Sequence, residues 1–194
     1  MQTGQWLVPG DGSRWYFDSG SLALDFGYTG PFGTGNAAWE RMHAPADLHA
    51  WLDERFEQLE PVADPRNLQD ALLLREAVVR IAAAIADGAA IAAEDVDAVN
   101  LYAATPDVPP SLDGGRRQAG RSVIRLGQAL STIARDAVAL FAEHADDGRI
   151  HRCSADDCGL LFYDDSRSAN RRWCSMQRCG NRAKVRAHRA RARA

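Results

Sequence analysis

All four cysteines of this chain fall in its last quarter, as two pairs of equal spacing: Cys153-Ser-Ala-Asp-Asp-Cys158 and, fifteen residues on, Cys174-Ser-Met-Gln-Arg-Cys179. Each pair can fold as a tight knuckle that aims two sulfurs at one point, and the linker is long enough to bring the knuckles together. Four thiolates without a fifth ligand favour one tetrahedral Zn(II) per chain in a closed, structural site. Each pair holds four residues between its cysteines, where two is the commoner number. The same residues could instead form two disulfides or hold an iron–sulfur cluster. The opening Met-Gln-Thr-Gly-Gln-Trp leads into no apolar run, which points to a reducing cytoplasm and disfavours disulfides. The common cluster spacings are tighter and asymmetric.

The residues around the cysteines suit a small metal fold. Leu160-Leu161-Phe162-Tyr163 reads as a short strand, Asp164-Asp165-Ser166 as a turn, and Arg171-Arg172-Trp173 as the returning strand of a hairpin. Phe162 and Trp173 are the expected core over the metal. A last helix is expected to open at Gly180 and Asn181, with Asn181 as its cap. On it Arg182, Arg186, Arg189 and Arg193 fall on one stripe, with Lys184 and Arg191 on the other side. From Arg178 onward there are seven basic residues and no acid. Guanidinium groups so spaced can follow a phosphate backbone, releasing counterions as they do. A solvated tail, or one docked on the acidic remainder of the chain, is the competing reading. Attachment to an ordered knuckle favours nucleic acid, with Arg182, Lys184, Arg186, Arg189 and Arg193 as its contacts.

The run Arg152-Cys153…Cys158-Gly159…Phe162-Tyr163-Asp164…Arg171-Arg172-Trp173-Cys174-Ser175-Met176…Cys179-Gly180-Asn181-Arg182-Ala183-Lys184 resembles the CGNR zinc-finger family, named for the tetrapeptide at Cys179 to Arg182. That family carries an upstream helical domain called ABATE, and its members are described as stress-induced transcription regulators. Leu22-Ala23-Leu24-Asp25-Phe26 is similar to the opening Leu-Asp-Phe motif of that domain, although Gly27-Tyr28 stands where Val-Asn is expected before Thr29. Asp47-Leu48…Trp51-Leu52 and Leu74-Arg75-Glu76-Ala77 are similar too. The resemblance implies zinc at the four cysteines and a role in transcription.

Charge divides the chain as the cysteines do. Residues 1–148 hold eleven basic and twenty-two acidic residues, and residues 149–194 hold twelve and four. An acidic body confines polyanion binding to the basic end. We therefore expect a mainly α fold: a helical domain over residues 1–148, with a short N-terminal β element, and a zinc finger over 149–194 built of a β-hairpin and a basic helix. Apolar residues recur at three- and four-residue steps over Ala46–Leu59 (Leu48, Trp51, Leu52, Phe56, Leu59), over Asn67–Asp87, over Ala93–Ala104 (Val96, Val99, Leu101), and from between Ser122 and Ser131 to Ala145. Gly10-Asp11-Gly12 reads as a turn before a strand at Arg14–Phe17. Leu22–Phe26 fits strand or helix.

Ten of the fifteen aromatic residues lie within the first fifty-six positions. They are expected to fill the core of the helical domain. The sharper reading makes Asp25, Phe26, Tyr28, Trp39 and Trp51 the walls of a pocket for a small-molecule effector. Enzymatic activity is not expected. There is no nucleophile elbow, phosphate loop, dinucleotide fingerprint or His-Glu-x-x-His, and a four-thiolate site leaves zinc no open position. The expected function is zinc-dependent DNA binding in transcriptional control, with RNA as a variant, a homodimer by analogy, no membrane partner, and a cytoplasmic or nucleoid location. A protein-interaction module docking an acidic partner and a small-molecule enzyme with a structural finger are the rivals. Loss of one cysteine is expected to unfold the finger and leave the body helical.

Overall fold

The computed structural model describes residues 3–8, 14–32, 39–61, 64–110 and 123–192. It is mainly helical, as the periodicities require. Strands β1 (Gln5–Leu7) and β2 (Trp15–Phe17) pair antiparallel with Trp6 opposite Tyr16. Alternation sends Leu7, Trp15 and Phe17 inward and Trp6 and Tyr16 outward. β2 fulfils the strand expected at Arg14–Phe17. The turn expected at Gly10–Gly12 lies outside the described residues.

Leu22–Phe26 is helical: α1 spans Leu22–Gly27, and every residue of it is buried. So short a helix needs its ends satisfied from elsewhere. Ser21 Oγ accepts from Leu24 N and donates to Asp136 Oδ2 at 2.6 Å, while Ala23 N donates to the same carboxylate oxygen at 2.8 Å. An anion is thus set at the positive end of α1.

α2 runs Pro45–Asp53, six residues short of the expected end at Leu59. The apolar face is as expected, since Leu48, Trp51, Leu52, Phe56 and Leu59 are all buried. The chain leaves the helix because Gln58 adopts a φ of 59° and Leu59 joins a bridge to Ile124, with Ile124 N donating to Gln58 O and Glu60 N to Ile124 O. Periodicity reported the buried side of this stretch correctly and its backbone only in part.

α3 (Pro65–Asp87) is the central helix. Asp64 caps it by accepting from the backbone of Arg66 and Asn67, Pro65 sits at its first position, and Gly88 closes it in the left-handed conformation at φ 63°. Ala71, Leu74, Ala77, Val78, Ile81 and Ala82 form its buried face. α4 (Ala93–Ala103) packs on it through Val99 and Asp95, the latter fixed by Arg80 at 2.6 Å. The face expected there is corrected: Val96 and Leu101 are exposed, because α4 turns Asp95, Val99 and Tyr102 toward its neighbours. α5 (Leu126–His144) completes the helical layer through Leu126, Leu130, Ile133, Ala137 and Leu140.

The C-terminal hairpin differs in its pairing from the expected one. β4 (Leu161–Tyr163) pairs not with Arg171–Trp173 but with β3 (Ile150–Arg152), Ile150 opposite Tyr163. Arg171 is drawn off by other partners: its guanidinium lies 4.2 Å from the Phe162 ring and donates to the carbonyls of Asp18, Trp173 and Cys174. A π-helical turn (Met176–Gly180) then runs straight into α6 (Asn181–Arg191). Asn181 is therefore already helical, not a cap, and its side chain donates to Gln177 O.

This hairpin shares one apolar core with the helices, since Ile150, Leu161 and Phe162 are buried together with Tyr28, Phe17 and the inner faces of α3 and α5. Three polar ties reinforce the seam. Tyr28 Oη accepts from Leu161 N and donates to Leu161 O, both at 2.7 Å. Tyr163 N donates to Ser19 O, and Arg152 makes two bonds of 2.7 Å to Asp87.

Candidate metal centre and nucleic-acid interface

The four cysteine sulfurs converge at the end of the β3–β4 hairpin. All lie within 4.8 Å of one another, and all four thiols are free. Cys153 leaves β3, and the next five residues bend back so that Cys158 N donates to Ala155 O. The second pair is closed by the π turn. Gly180 N donates to Ser175 O five residues back, which widens the turn and brings Cys174 and Cys179 to one side, their sulfurs 3.4 Å apart. The four-residue spacing of the second pair thus has a geometric cause: a wide turn subtends a longer step than the usual knuckle does.

The donor set fits zinc. A tetrahedral ion with bonds of about 2.3 Å to sulfur requires sulfur–sulfur separations of about 3.8 Å. Cys158 and Cys174 stand 3.7 Å apart. Without a cation four such thiols cannot all ionise. Hydrogen bonds from Cys158 and Cys174 push Cys153 far down, while holding those protons raises Cys174 strongly and Cys158 to about 12. A divalent cation removes that conflict.

Two further groups steady the sulfurs. Cys174 N donates to Cys153 Sγ at 3.3 Å, and Arg182 Nη2 donates to Cys179 Sγ at 3.1 Å. The sulfur bond is the first cause that holds the Arg182 guanidinium above its ordinary pKa. The other arm of Arg182 reaches Asp157, inside the first knuckle, at 3.0 Å, and Arg186 reaches the same oxygen at 2.8 Å. The tetrapeptide Cys179–Arg182 therefore has a physical reading. Cys179 is a ligand candidate, Gly180 gives room to Met176 and Trp173, Asn181 bonds the π turn, and Arg182 braces the sulfur. Asp157 is the residue that sequence reasoning missed. Its only signal was the acidic pair Asp156-Asp157 inside the first knuckle.

The remaining expected contacts lie along α6, which buries no residue. Lys184, Arg186 and Arg189 are exposed, and Arg193 lies outside the described residues. Arg182 and Arg186 share Asp157, while Lys184 and Arg189 have no carboxylate within ion-pair distance among the described residues. Phe162 is fully buried but serves the common core, and Trp173 is half-buried at its margin.

The expected effector pocket is packed core. Asp25, Phe26 and Tyr28 are wholly buried, Trp51 nearly so, and Trp39 half-buried. Phe26 lies 5.2 Å from Trp51, and Tyr28 stacks on Phe32 at 4.1 Å, so the aromatic walls close on one another. Asp25 accepts from Ser19 Oγ at 2.6 Å and from Gly4 N; burial nonetheless raises its carboxyl to about 6.

Two family models match the chain. The ABATE model, described as "Putative stress-induced transcription regulator", covers residues 20–144, more than half of the sequence. The CGNR zinc-finger model covers residues 149–192. No curated protein matches. No helix among the described residues is long and apolar enough to cross a membrane.

Proposed function

We propose, from the premise that this chain belongs to the ABATE family and ends in a CGNR zinc finger, that it is a zinc-dependent, DNA-binding regulator of transcription. One observation carries the reading: the second half of a four-sulfur cluster is itself the first turn of an exposed helix rich in arginine and free of acid. Cys153, Cys158, Cys174 and Cys179 would hold one Zn(II). With every position taken by sulfur, the ion supplies a cross-link and no reactive water. The cross-link fixes where α6 leaves the body, and so where Lys184, Arg186, Arg189 and Arg193 meet a phosphate backbone. Arg182 positions Cys179 and reaches phosphate only with its other arm. The role is a binding one, exerted in the cytoplasm on the nucleoid, and a second copy of the chain would supply the paired half-sites that a single short helix lacks.

The test is a fluorescence-anisotropy titration of the zinc-loaded protein with duplex DNA over a salt series. It is repeated after chelation and with residues 180–194 deleted. The expected result is binding that needs both zinc and the tail and weakens steeply with salt. No binding at low salt, or binding indifferent to chelation and deletion, overturns the proposal. Equal or tighter binding to RNA reassigns the nucleic acid.

A further inference from the structure

The β1–β2 hairpin turns one face away from the core, and that face forms one side of an open cleft of roughly 510 Å³. Gly4, Gln5, Trp6, Tyr16 and Val8 line it from the hairpin, and Arg14, Arg41 and Arg55 ring it, with Glu54 the one acid among the described residues. Three features of this cleft are unlike ordinary surface.

The first is Arg55. Its side chain is 8 % exposed, and its guanidinium lies 3.8 Å from the ring of Trp51. Only Nη1 is engaged, on Trp51 O and on Glu54, itself 72 % exposed. Nε and Nη2 have no partner among the described residues. A guanidinium held on an aromatic ring, with donors left over on the wall of an open cleft, is suited to receive an anion.

The second is charge. Neither Arg14 nor Arg41 has a carboxylate within ion-pair distance among the described residues, and Arg41 donates only a long bond of 3.4 Å to Gln5. Burial lowers the Arg55 pKa, and the nearby charge of Arg41 acts in the same direction against the pull of Asp25 and Glu54. Three cations around one cavity in an acidic body repel one another, and an anion between them relieves that.

The third is aromatic. Trp6 and Tyr16, register partners on the hairpin, meet edge to face at 5.6 Å and remain 50 % and 38 % exposed, with Arg14 stacked 4.4 Å over Trp6. Tyr16 is fixed by its hydroxyl, which donates to Thr3 O. An exposed, ordered aromatic pair beside a partly buried fork matches a ligand with a flat apolar body and a charged end.

The geometry points to this cleft as a binding site for a small organic anion, an aromatic carboxylate, with the carboxylate between Arg41 and Arg55 and the ring against Trp6 and Tyr16. The regulator reading above enters only in calling such a ligand an effector; binding itself is independent of whether the chain recognises DNA.

The test is calorimetric titration of the zinc-loaded full chain with three probes: 2-naphthoate, its neutral analogue 2-naphthalenemethanol, and inorganic phosphate. Naphthoate is expected to bind one per chain with Kd below about 1 mM, and the other two at least tenfold more weakly. Arg41→Gln and Trp6→Leu, both on exposed side chains, are expected to weaken naphthoate about tenfold while the circular dichroism spectrum is unchanged. Arg55→Gln should abolish binding, and Arg135→Gln, remote from the cleft, should leave it as it is. Absence of naphthoate binding, equal binding of the neutral probe or of phosphate, or indifference to Arg41→Gln and Trp6→Leu overturns the proposal.

Discussion

Asp157 ties two cationic side chains of α6 back to the first knuckle. It takes bonds from Arg182 and Arg186, two of the arginines expected to meet phosphate, yet all three side chains are more than a third exposed. Pairs so exposed are weakened by solvent screening and yield readily to a competing anion. Asp157→Asn is therefore expected to leave thermal stability nearly unchanged while strengthening DNA binding, with a salt dependence steeper by about one to two released ions. An unchanged slope would mean that neither arginine reaches phosphate. Asp25 is a different case, being buried within the core. Desolvation lifts it to about 6 from its ordinary 3.8, against hydrogen bonds from Ser19 and Gly4 and the charge of Arg55 that act to lower it, while Asp18 adds to the rise. Between about pH 4 and 6 the folded protein holds this proton and the unfolded chain has released it, so stability falls as pH rises through that window. The loss is on the order of 2–3 kcal/mol and is complete above it. In urea melts, the stability of Asp25→Asn relative to the parent should climb from pH 4 to 6 and level off above. A difference independent of pH would show that the carboxyl titrates normally.

At the scale of elements, the sequence disclosed most apolar faces, that of α4 excepted, and withheld most ends and partners. The stepping of Ala71, Leu74, Val78 and Ile81 located α3 and Gly88 marked its end, but the helix starts at Pro65 under the Asp64 cap, two residues before the expected Asn67. The same stepping found the buried side of α2 but carried it past Asp53, since the bridge from Leu59 to Ile124 joins residues far apart in sequence. The cysteine pairs declared a metal site. They did not declare that the second knuckle is a π turn, nor that β4 would choose β3, because Arg171 is held by carbonyls from Asp18 and Cys174 that no local pattern announces. One such distant contact is testable. Gly20, at φ +84°, stands so close to β4 that an added Cβ would lie 2.5 Å from Tyr163 O. Gly88, at φ +63°, has nothing within 4 Å of that position. Gly20→Ala should lose at least about 2 kcal/mol from backbone strain and collision together, and Gly88→Ala about 1 kcal/mol from strain alone. Equal losses in denaturant titrations would show that β4 yields at no expense.

The whole molecule is joined more tightly than an acidic body with a basic appendage suggests. The hairpin that carries the metal cluster buries Ile150, Leu161 and Phe162 in the same core as α1, α3 and α5, and the Tyr28 hydroxyl, whose pKa burial holds well above its ordinary value, is spent wholly on Leu161. From the other side, Trp15 of β2 lies 4.9 Å from the guanidinium of Arg178, inside the second knuckle. The cluster is thus braced by both the helical layer and the N-terminal hairpin. This alters the expectation that losing a cysteine unfolds the finger alone. Without the cross-link, the knuckles and α6 lose what orders them, and four crowded thiols must share protons. Because Ile150, Leu161 and Phe162 of the hairpin are buried in the common core, loosening the knuckles weakens that core as well. Calorimetric melts of the zinc-loaded protein should show one transition. Chelation, or Cys174→Ser, should move that transition down by several degrees and not split off a separate small one, because units that share a core unfold together. Two transitions after chelation, the upper at the original temperature, would show that the finger is energetically independent. Any signal passed from the N-terminal hairpin to α6 would then need another route.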